Sequence, residues 1–215
     1  MRRTAVINQI RSLLLERGMT LRKGRRYLEE ALSGILEDAD VKLSGAVRFL
    51  SAQLKLELEQ LALHLEEADA LIEQTVQDNE QCQRLDAIPG IGPVTATAVV
   101  AAIGNGAAFR KGRDFSAWIG IVPREHSAGG KQKLLGISKR GNRYLRELFV
   151  QCARAVLQQK TKQSPGLKAW LEKLTARTHF DLASVALANK LARMAWAVLA
   201  TGEAYRAPSS PQLRD

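Results

Sequence analysis

The sequence predicts a mainly α-helical protein, and three observations lead to that prediction. The 215 residues are rich in leucine and alanine but only 5% aromatic, a composition that favours helices over a β-sandwich or barrel. Between Val47 and Ile72 apolar residues recur at spacings of four and three, as on one face of a helix. Gly18 and Gly202 each follow an apolar periodic segment, where a glycine typically ends a helix.

The first part of the chain predicts three helices. Residues 4–17 form an amphipathic pattern that stops at Gly18, and a second helix is expected over 25–37. The longest pattern, over 47–72, has coiled-coil character with one apolar seam, which consists of Val47, Leu54, Leu58, Leu61, Leu65, Ala68 and Ile72. This seam either packs within its own chain or forms a contact between two copies, because three heptads are too few to decide.

The middle of the chain predicts two helical stretches and a small polar turn. The helices are expected within 81–103, on either side of the glycine-rich segment 89–93. Brief apolar runs at 115–123 and 133–137 surround a polar turn, and they predict either a small β-hairpin or an ordered loop.

Three more helices complete the chain. Ser138 is typical of an N-cap for a helix that runs to Gln159. Ser164-Pro165 begins the next, with proline at the first helical position, and residues 182–201 form the last. The pattern predicts three regions: a helical linker and coiled-coil stalk over 1–80, a second helical domain over 81–205, and a flexible tail over 206–215.

Positive charge is concentrated in one part of the chain. The formal net charge is +10, and residues 110–168 carry fourteen Lys or Arg against three Asp or Glu, so the rest is nearly neutral. This distribution favours a polyanionic partner such as nucleic acid. The alternative is a basic face that is only solvated.

Several other classes of protein do not fit the composition. No apolar run reaches the ~20 residues of a membrane span, and the N-terminus has no signal-peptide core. Cys82 and Cys152 lie seventy residues apart without a second pair, which argues against a disulfide scaffold or a four-cysteine zinc site. The sequence therefore predicts a cytoplasmic protein with no membrane segment and no metal site or cofactor of its own.

The segment from Leu85 to Ala96 has the pattern of a helix-hairpin-helix DNA-binding element. Gly90 and Gly92 permit a turn with positive φ and leave room for a phosphate beside the backbone, and Pro93 suits the first turn of the second helix. That helix begins with free amides and the positive end of its dipole. Such a contact positions the DNA backbone without reading sequence. The alternative is a tight turn that binds nothing.

Three motifs follow one another in a specific order: PGIG at 89–92, WIGIVPREHSAGGK at 118–131 and GISKRGNRYLR at 136–146. Together they closely resemble the C-terminal transposase domain of the insertion-sequence 110 family, in particular its 1111 subgroup. The resemblance extends over nearly the whole chain, since the 47–76 helix is similar to the coiled-coil stalk of that family.

The resemblance implies a bacterial protein of DNA transposition. In that family an N-terminal ribonuclease-H-like domain carries four acidic residues that hold Mg²⁺, and a serine of the C-terminal domain attacks a DNA phosphate and becomes joined to it. Members are also associated with a structured guide RNA. Matching along the family's SSGGK-like loop places the nucleophile at Ser127, and Ala128 stands where many members have a second serine.

The chemistry of such a serine explains the residues around it. A serine hydroxyl needs activation by a base or a metal, and phosphoryl transfer needs positive charge around the phosphate oxygens. Besides Gly90 and Gly92, we expect DNA contacts from the basic segment that follows Ser127, namely Lys131, Lys139, Arg140, Asn142, Arg143 and Arg146. If a helix begins at Ser138, then Lys139, Arg143 and Arg146 share one face of it.

Two neighbouring side chains compete with this assignment. Ser138 is the other candidate nucleophile, although N-capping explains it. His126 adjoins Ser127 in the sequence, but adjacent residues of an extended segment point apart, so we expect it at most to contact phosphate.

The acidic domain has no counterpart before residue 80, where the carboxylates fall in helices or linkers. We therefore expect a truncated family member that binds nucleic acid but does not complete transposition alone. Three functions stay open: a transposase part that needs the acidic domain, a non-catalytic or dominant-negative DNA-binding module that forms homo-oligomers through the stalk, and a helical scaffold with a solvated basic face.

Overall fold

The computed structural model describes residues 2–38, 43–127 and 133–207. The fold is mainly α-helical, as predicted, and the chain divides into two compact units, Met1–Leu71 and Ile72–Asp215. The helices of the described residues are α1 (Arg2–Leu15), α2 (Arg25–Glu37), α3 (Gly45–Gln77), α4 (Glu80–Asp86), α5 (Pro93–Ile103), α6 (Gly112–Trp118), α7 (Arg143–Gln158), α8 (Pro165–Arg177) and α9 (Phe180–Thr201). The strands are β1 (Pro123–Glu125) and β2 (Leu134–Ile137), and a 3₁₀ turn spans Lys160–Lys162.

The first unit is built from α1, α2 and most of α3. Its buried core takes one side chain or more from each helix: Val6, Ile10, Leu14, Leu28, Leu32 and Leu58. Gly18 has a φ of +76° just after α1, which is the left-handed conformation that ends a helix at glycine. The Arg48 guanidinium closes the end of α2 by donating hydrogen bonds to the carbonyl oxygens of Leu36 and Asp38, at 2.5 and 2.9 Å.

The predicted seam of α3 is divided between two environments. Val47 and Leu58 are buried within the first unit, and Leu54 and Leu61 pack against its core. Leu65, in contrast, is 42% exposed and Ala68 is also exposed. The first half of the seam therefore packs within its own chain, which is one of the two predicted alternatives.

Helix α9 is the centre of the second unit. It packs against α4, α6, α7 and α8, and its buried residues are mostly small: Ala183, Ser184, Leu187, Ala188, Leu191, Ala192, Ala195, Val198 and Leu199. The alanines allow the neighbouring helices to approach closely. Gly202 ends the helix in the left-handed conformation, as predicted.

The composition of α9 follows from its position in the core. The helix is long and apolar enough to meet the length and hydropathy criteria for a membrane span, and half of that span is buried inside the second unit. Most of its apolar side chains are covered by the other helices, and the large exceptions are Phe180 and Leu182 at its beginning. An interior helix that is surrounded by neighbours has this composition.

Arg84 ties the beginning of the second unit to its end. Its guanidinium pairs with the Glu80 carboxylate at 2.7 Å and also donates a hydrogen bond to the Gly202 carbonyl at 2.7 Å. The contact joins α4 to the end of α9 across 118 positions of sequence.

Two predicted boundaries in the second unit are wrong. Ser138 does not cap a helix, because Gly141 has a φ of +90° and interrupts the segment. Helix α7 begins instead at Arg143, and the Asn142 side chain caps it by accepting a hydrogen bond from the Leu145 amide at 3.0 Å. The run at 115–123 is not wholly strand or loop, since its first residues belong to α6.

The small β-hairpin, one of the two predicted alternatives, is present. β1 and β2 pair antiparallel, with Pro123 opposite Ile137 and Glu125 opposite Leu134, and the register shifts between these two pairs. The hairpin connects α6 to α7.

Candidate nucleic-acid interface

The glycine hairpin between α4 and α5 is a tight turn packed against α7. Gly90 has a φ of +84°, and a Cβ atom there would lie 2.3 Å from Val156 Cγ2 and 3.0 Å from the Cys152 carbonyl oxygen. Gly90 is therefore required by close packing inside the protein. Gly92 has open space on its Cβ side.

The buried Cys152 thiol of α7 lies beside this turn. Burial raises the pKa of the Cys152 thiol, and hydrogen bonds from the Thr95 hydroxyl and the Gly92 amide offset part of this rise. The Thr95 Oγ1 and Cys152 Sγ atoms lie 3.3 Å apart. At the beginning of α5 the exposed residue is Val94, whose amide has no backbone partner among the described residues. The Val94 amide is therefore available to a phosphate at this turn.

The segments before and after the β-hairpin are locked together by two glycines. Gly120 and Gly141 have φ values of +75° and +90°, and a Cβ atom on them would lie 2.1 Å from the Arg140 carbonyl oxygen and 1.7 Å from the Trp118 carbonyl oxygen, respectively. The Asn142 amide donates to the same Trp118 carbonyl at 3.4 Å. Only glycine permits this approach of two backbones.

Backbone hydrogen bonds continue from these glycines into the hairpin. The Lys139 amide donates to the Gly120 carbonyl at 3.1 Å, and the Ser138 amide donates to the Val122 carbonyl at 2.9 Å. Ser138 is thus part of the closed base of the hairpin. The arm that leads to Ser127 is held at this base by backbone contacts from both sides.

Ser127 lies on the exposed first arm of the hairpin, two residues after β1 ends. Its hydroxyl donates a hydrogen bond to the Glu125 carboxylate. The His126 amide donates to the Lys133 carbonyl at 2.9 Å, so the strand pairing extends one residue beyond β1. In this extended backbone Glu125 and Ser127 share one face and His126 takes the other.

The predicted cationic residues occupy different environments. Lys139 and Arg140 are exposed, and Lys139 has a φ of +56° outside any helix, so the expectation that it shares a helical face with Arg143 and Arg146 is wrong. Lys131 lies outside the described residues, as do Ala128, Gly129 and Gly130 of the same loop.

The two arginines of α7 already have protein partners. Arg143 is exposed and pairs with Glu147 at 2.6 Å, which raises the pKa of the guanidinium. The half-buried Arg146 donates to the Ile119 carbonyl at 3.0 Å. Arg146 therefore joins α7 to the end of α6, and Lys139 and Arg140 are the more available cations.

Sequence reasoning missed Glu125 as a partner of Ser127. The signal was present in the motif PREHS, because residues two apart face the same side of a strand. It became informative only once the extended conformation of this arm was known.

The described residues contain no group of three or more His, Cys, Asp or Glu side chains that could hold a metal ion. The described part of the chain therefore does not fit the Mg²⁺ ion that the family resemblance assigns to a separate acidic domain. No step below is assigned to a metal.

Comparison with known proteins agrees with the motifs. Residues 82–167 match the model of the transposase IS116/IS110/IS902 family. The chain is 40% identical over 205 residues to a probable family 20 transposase of Pseudomonas aeruginosa, and 41% identical over 204 residues to the transposase for insertion sequence element IS1111A of Coxiella burnetii. It is 38% identical over 203 residues to the transposase for insertion sequence element IS1328 of Yersinia enterocolitica.

These matches cover almost all of this chain but only part of each relative. They include 95%, 95% and 94% of the chain, and 61%, 56% and 60% of the three relatives. The chain thus spans little more than half the length of the curated relatives that it matches. With the family model on its second unit and near 40% identity along almost its whole length, the chain belongs to the IS116/IS110/IS902 transposase family.

Proposed function

We propose that this chain acts in DNA transposition as the part that binds DNA and becomes covalently joined to it through Ser127. The observation that carries the proposal is the Ser127 hydroxyl, which is exposed on a hairpin arm and hydrogen-bonded to a carboxylate. Family membership supports transposition as the process. The match of Ser127 to the family's nucleophile position supports the role of this residue.

Positive charge near the hairpin suits a phosphate. Lys139 and Arg140 follow the closed base of the hairpin and are exposed, and Arg124 and Lys133 on its two arms are exposed as well. A phosphate that Ser127 attacks gains negative charge on its non-bridging oxygens, which Arg124 and Lys133 are the nearer cations to stabilise, while Lys139 and Arg140 at the base suit a neighbouring phosphate. Arg140 offers the planar bidentate geometry that lysine lacks.

The glycine hairpin supports a second contact with the DNA backbone. Because Gly90 packs on α7 and the exposed Val94 has an amide without a backbone partner among the described residues, the proposed contact falls to the Val94 amide and the positive end of α5. A contact of this kind adds affinity but no sequence discrimination. Sequence choice is then left to other components, and we propose a structured guide RNA as one of them.

The proposal covers binding and covalent attachment and does not extend to the complete transposition reaction. The acidic residues that the family resemblance implies have no counterpart among the described carboxylates. We propose that a separate acidic domain contributes them.

Ser127→Ala should abolish covalent attachment to DNA. The wild-type chain, with the acidic domain of a relative joined before it, would be incubated with duplex fragments that flank its coding region, with RNA transcribed from the same flanks and with Mg²⁺. An adduct that survives denaturing electrophoresis is expected for the wild type, and peptide mapping should locate it at Ser127. The matched control is Ser138→Ala, which removes a hydroxyl from the base of the hairpin and should leave the adduct.

Two results would contradict the proposal. One is an adduct formed by Ser127→Ala at the wild-type level. The other is a wild-type chain that binds the flanking DNA and yields no adduct, which would favour a non-catalytic DNA-binding module.

A further inference from the structure

We infer that Glu125 is the proton acceptor for Ser127, so that nucleophile and base lie on one strand of the hairpin. The inference rests on the proposed function and names a second catalytic residue for it. A serine nucleophile needs a base within hydrogen-bond reach of its hydroxyl. Ser127 Oγ has that contact with Glu125 Oε1.

Strand geometry holds the pair together. Glu125 is paired with Leu134 across the hairpin, and the amide of His126 continues the pairing with Lys133 at 2.9 Å. Because the backbone stays extended through His126, the side chains on either side of it project from the same face. The backbone pairing thus places the two side chains on the same side of the arm.

Within the described part of the chain, Ser127 is the one side chain that bonds to the Glu125 carboxylate. Among the described residues no Lys, Arg or His forms an ion pair with it, although the surrounding segment is strongly basic. Glu147, another carboxylate of that segment, is held by Arg143 at 2.6 Å. His126 is closer to Ser127 in sequence than Glu125 is, but it occupies the opposite face of the strand.

The closed base of the hairpin fixes where the pair stands. Val122, next to β1, accepts the Ser138 amide, and Gly120 accepts the Lys139 amide. The exposed Arg124 and Lys133 lie on the two arms close to the pair, so positive charge is present near a phosphate that Ser127 attacks. Glu125, the proposed proton acceptor, and these cations therefore belong to the same closed hairpin.

The proposed step is a proton transfer coupled to substitution at phosphorus. The O–H bond of Ser127 breaks and its proton passes to the Glu125 carboxylate. An Oγ–P bond forms, and the bond from phosphorus to one neighbouring sugar oxygen breaks. That oxygen leaves with the bonding electron pair and takes a proton from water.

A fluorophosphonate probe tests this step without DNA. The same hydroxyl would attack the phosphorus of the probe, an Oγ–P bond would replace the P–F bond, fluoride would leave, and Glu125 would take the proton. Labelling of the full chain would be followed by intact mass, and the site would be identified by peptide mapping. The variants are Glu125→Gln, Glu125→Asp and Ser127→Ala, with Glu172→Gln as the control on an exposed carboxylate of α8.

We expect the wild type and Glu172→Gln to be labelled at Ser127 at equal rates. Glu125→Gln should be labelled about 100-fold more slowly, the lower end of what a general base contributes. Glu125→Asp should recover part of that rate, because it keeps a carboxylate on the same face. Circular dichroism spectra that coincide among the variants would exclude loss of fold as the cause.

Labelling of Glu125→Gln at the wild-type rate would overturn the inference, as would a wild-type chain that is not labelled at Ser127. A third outcome is labelling that depends on Glu125 in a chain that never forms a DNA adduct. This outcome would support proton transfer from Ser127 to Glu125 and would overturn the proposed function. The two proposals can therefore fail separately.

Discussion

Gly90 and Gly92 lie two residues apart in the same turn but carry different constraints. At Gly90 the positive φ and the neighbouring Val156 both exclude a side chain, whereas Gly92 has a φ of −107° and open space beside it. The sequence predicted that both glycines serve a ligand. In the structure Gly90 serves the packing of the turn on α7.

Gly90→Ala should destabilise the second unit by about 3 kcal/mol, because left-handed strain and overpacking add up. Gly92→Ala should cost at most about 1 kcal/mol, the difference between glycine and alanine at an N-cap. Urea unfolding followed by tryptophan fluorescence measures both, since Trp118, Trp170 and Trp196 all lie in the second unit.

Equal unfolding midpoints for the two variants would show that Gly90 is not held against α7 as described. Loss of DNA binding in Gly92→Ala, with stability retained, would return a ligand role to Gly92.

The candidate site was only partly predictable at the residue scale. Ser127 could be named because a family motif contains it, but its exposure and its bond to Glu125 depend on a hairpin that the sequence left open as a loop. The close packing of Gly90 against Val156 and Cys152 is a tertiary contact with α7, which local sequence does not encode.

At the scale of elements, the residue at which α7 begins decides which of two candidate side chains is its N-cap. Asn142 accepts the Leu145 amide, while Ser138 lies four residues earlier in the base of the hairpin. Asn142→Ala should therefore destabilise the second unit by about 1 kcal/mol, the usual cost of a lost N-cap. Ser138→Ala should change the unfolding free energy little, as measured by the same urea titration.

A larger loss in Ser138→Ala than in Asn142→Ala would place the beginning of α7 earlier than the structure has it. It would also restore the shared helical face of Lys139, Arg143 and Arg146.

Elements with strong local signals were predicted well. The helix over 25–37 has the predicted bounds, and Pro93 and Pro165 begin α5 and α8 as expected. Helix α6 was missed because it has only seven residues and no side-chain cap. Its aromatic residues pack with Phe109 and Phe149, and that tertiary contact stabilises a helix which local propensity does not predict.

At the scale of the whole molecule, α3 offers an apolar line that the described chain does not cover. Phe49, Leu56 and Leu63 recur every seven residues and are 62%, 51% and 59% exposed. A seven-residue repeat of large apolar side chains is the pattern of a coiled-coil contact. We propose that a second copy of the chain covers this line, which differs from the seam that the sequence predicted.

Leu56→Gln combined with Leu63→Gln should shift a dimer to monomers. Sedimentation velocity across a concentration series would measure the change, because the substitutions remove apolar area from the contact and leave the buried Leu58 in place. The matched control is Glu59→Gln combined with Glu66→Gln, which has the same spacing on exposed positions beside the line. A wild-type chain that stays monomeric at all concentrations would contradict the proposed contact.

The Arg84 contact has a consequence for how the second unit can be used. One side chain holds Glu80 and Gly202 together, so the beginning of α4 and the end of α9 adjoin. Modules whose ends adjoin tolerate circular permutation and insertion into other proteins, because the host needs only two neighbouring linkers to carry them. A new chain break between α4 and α9 should therefore be tolerated once a short linker joins the beginning of α4 to the end of α9.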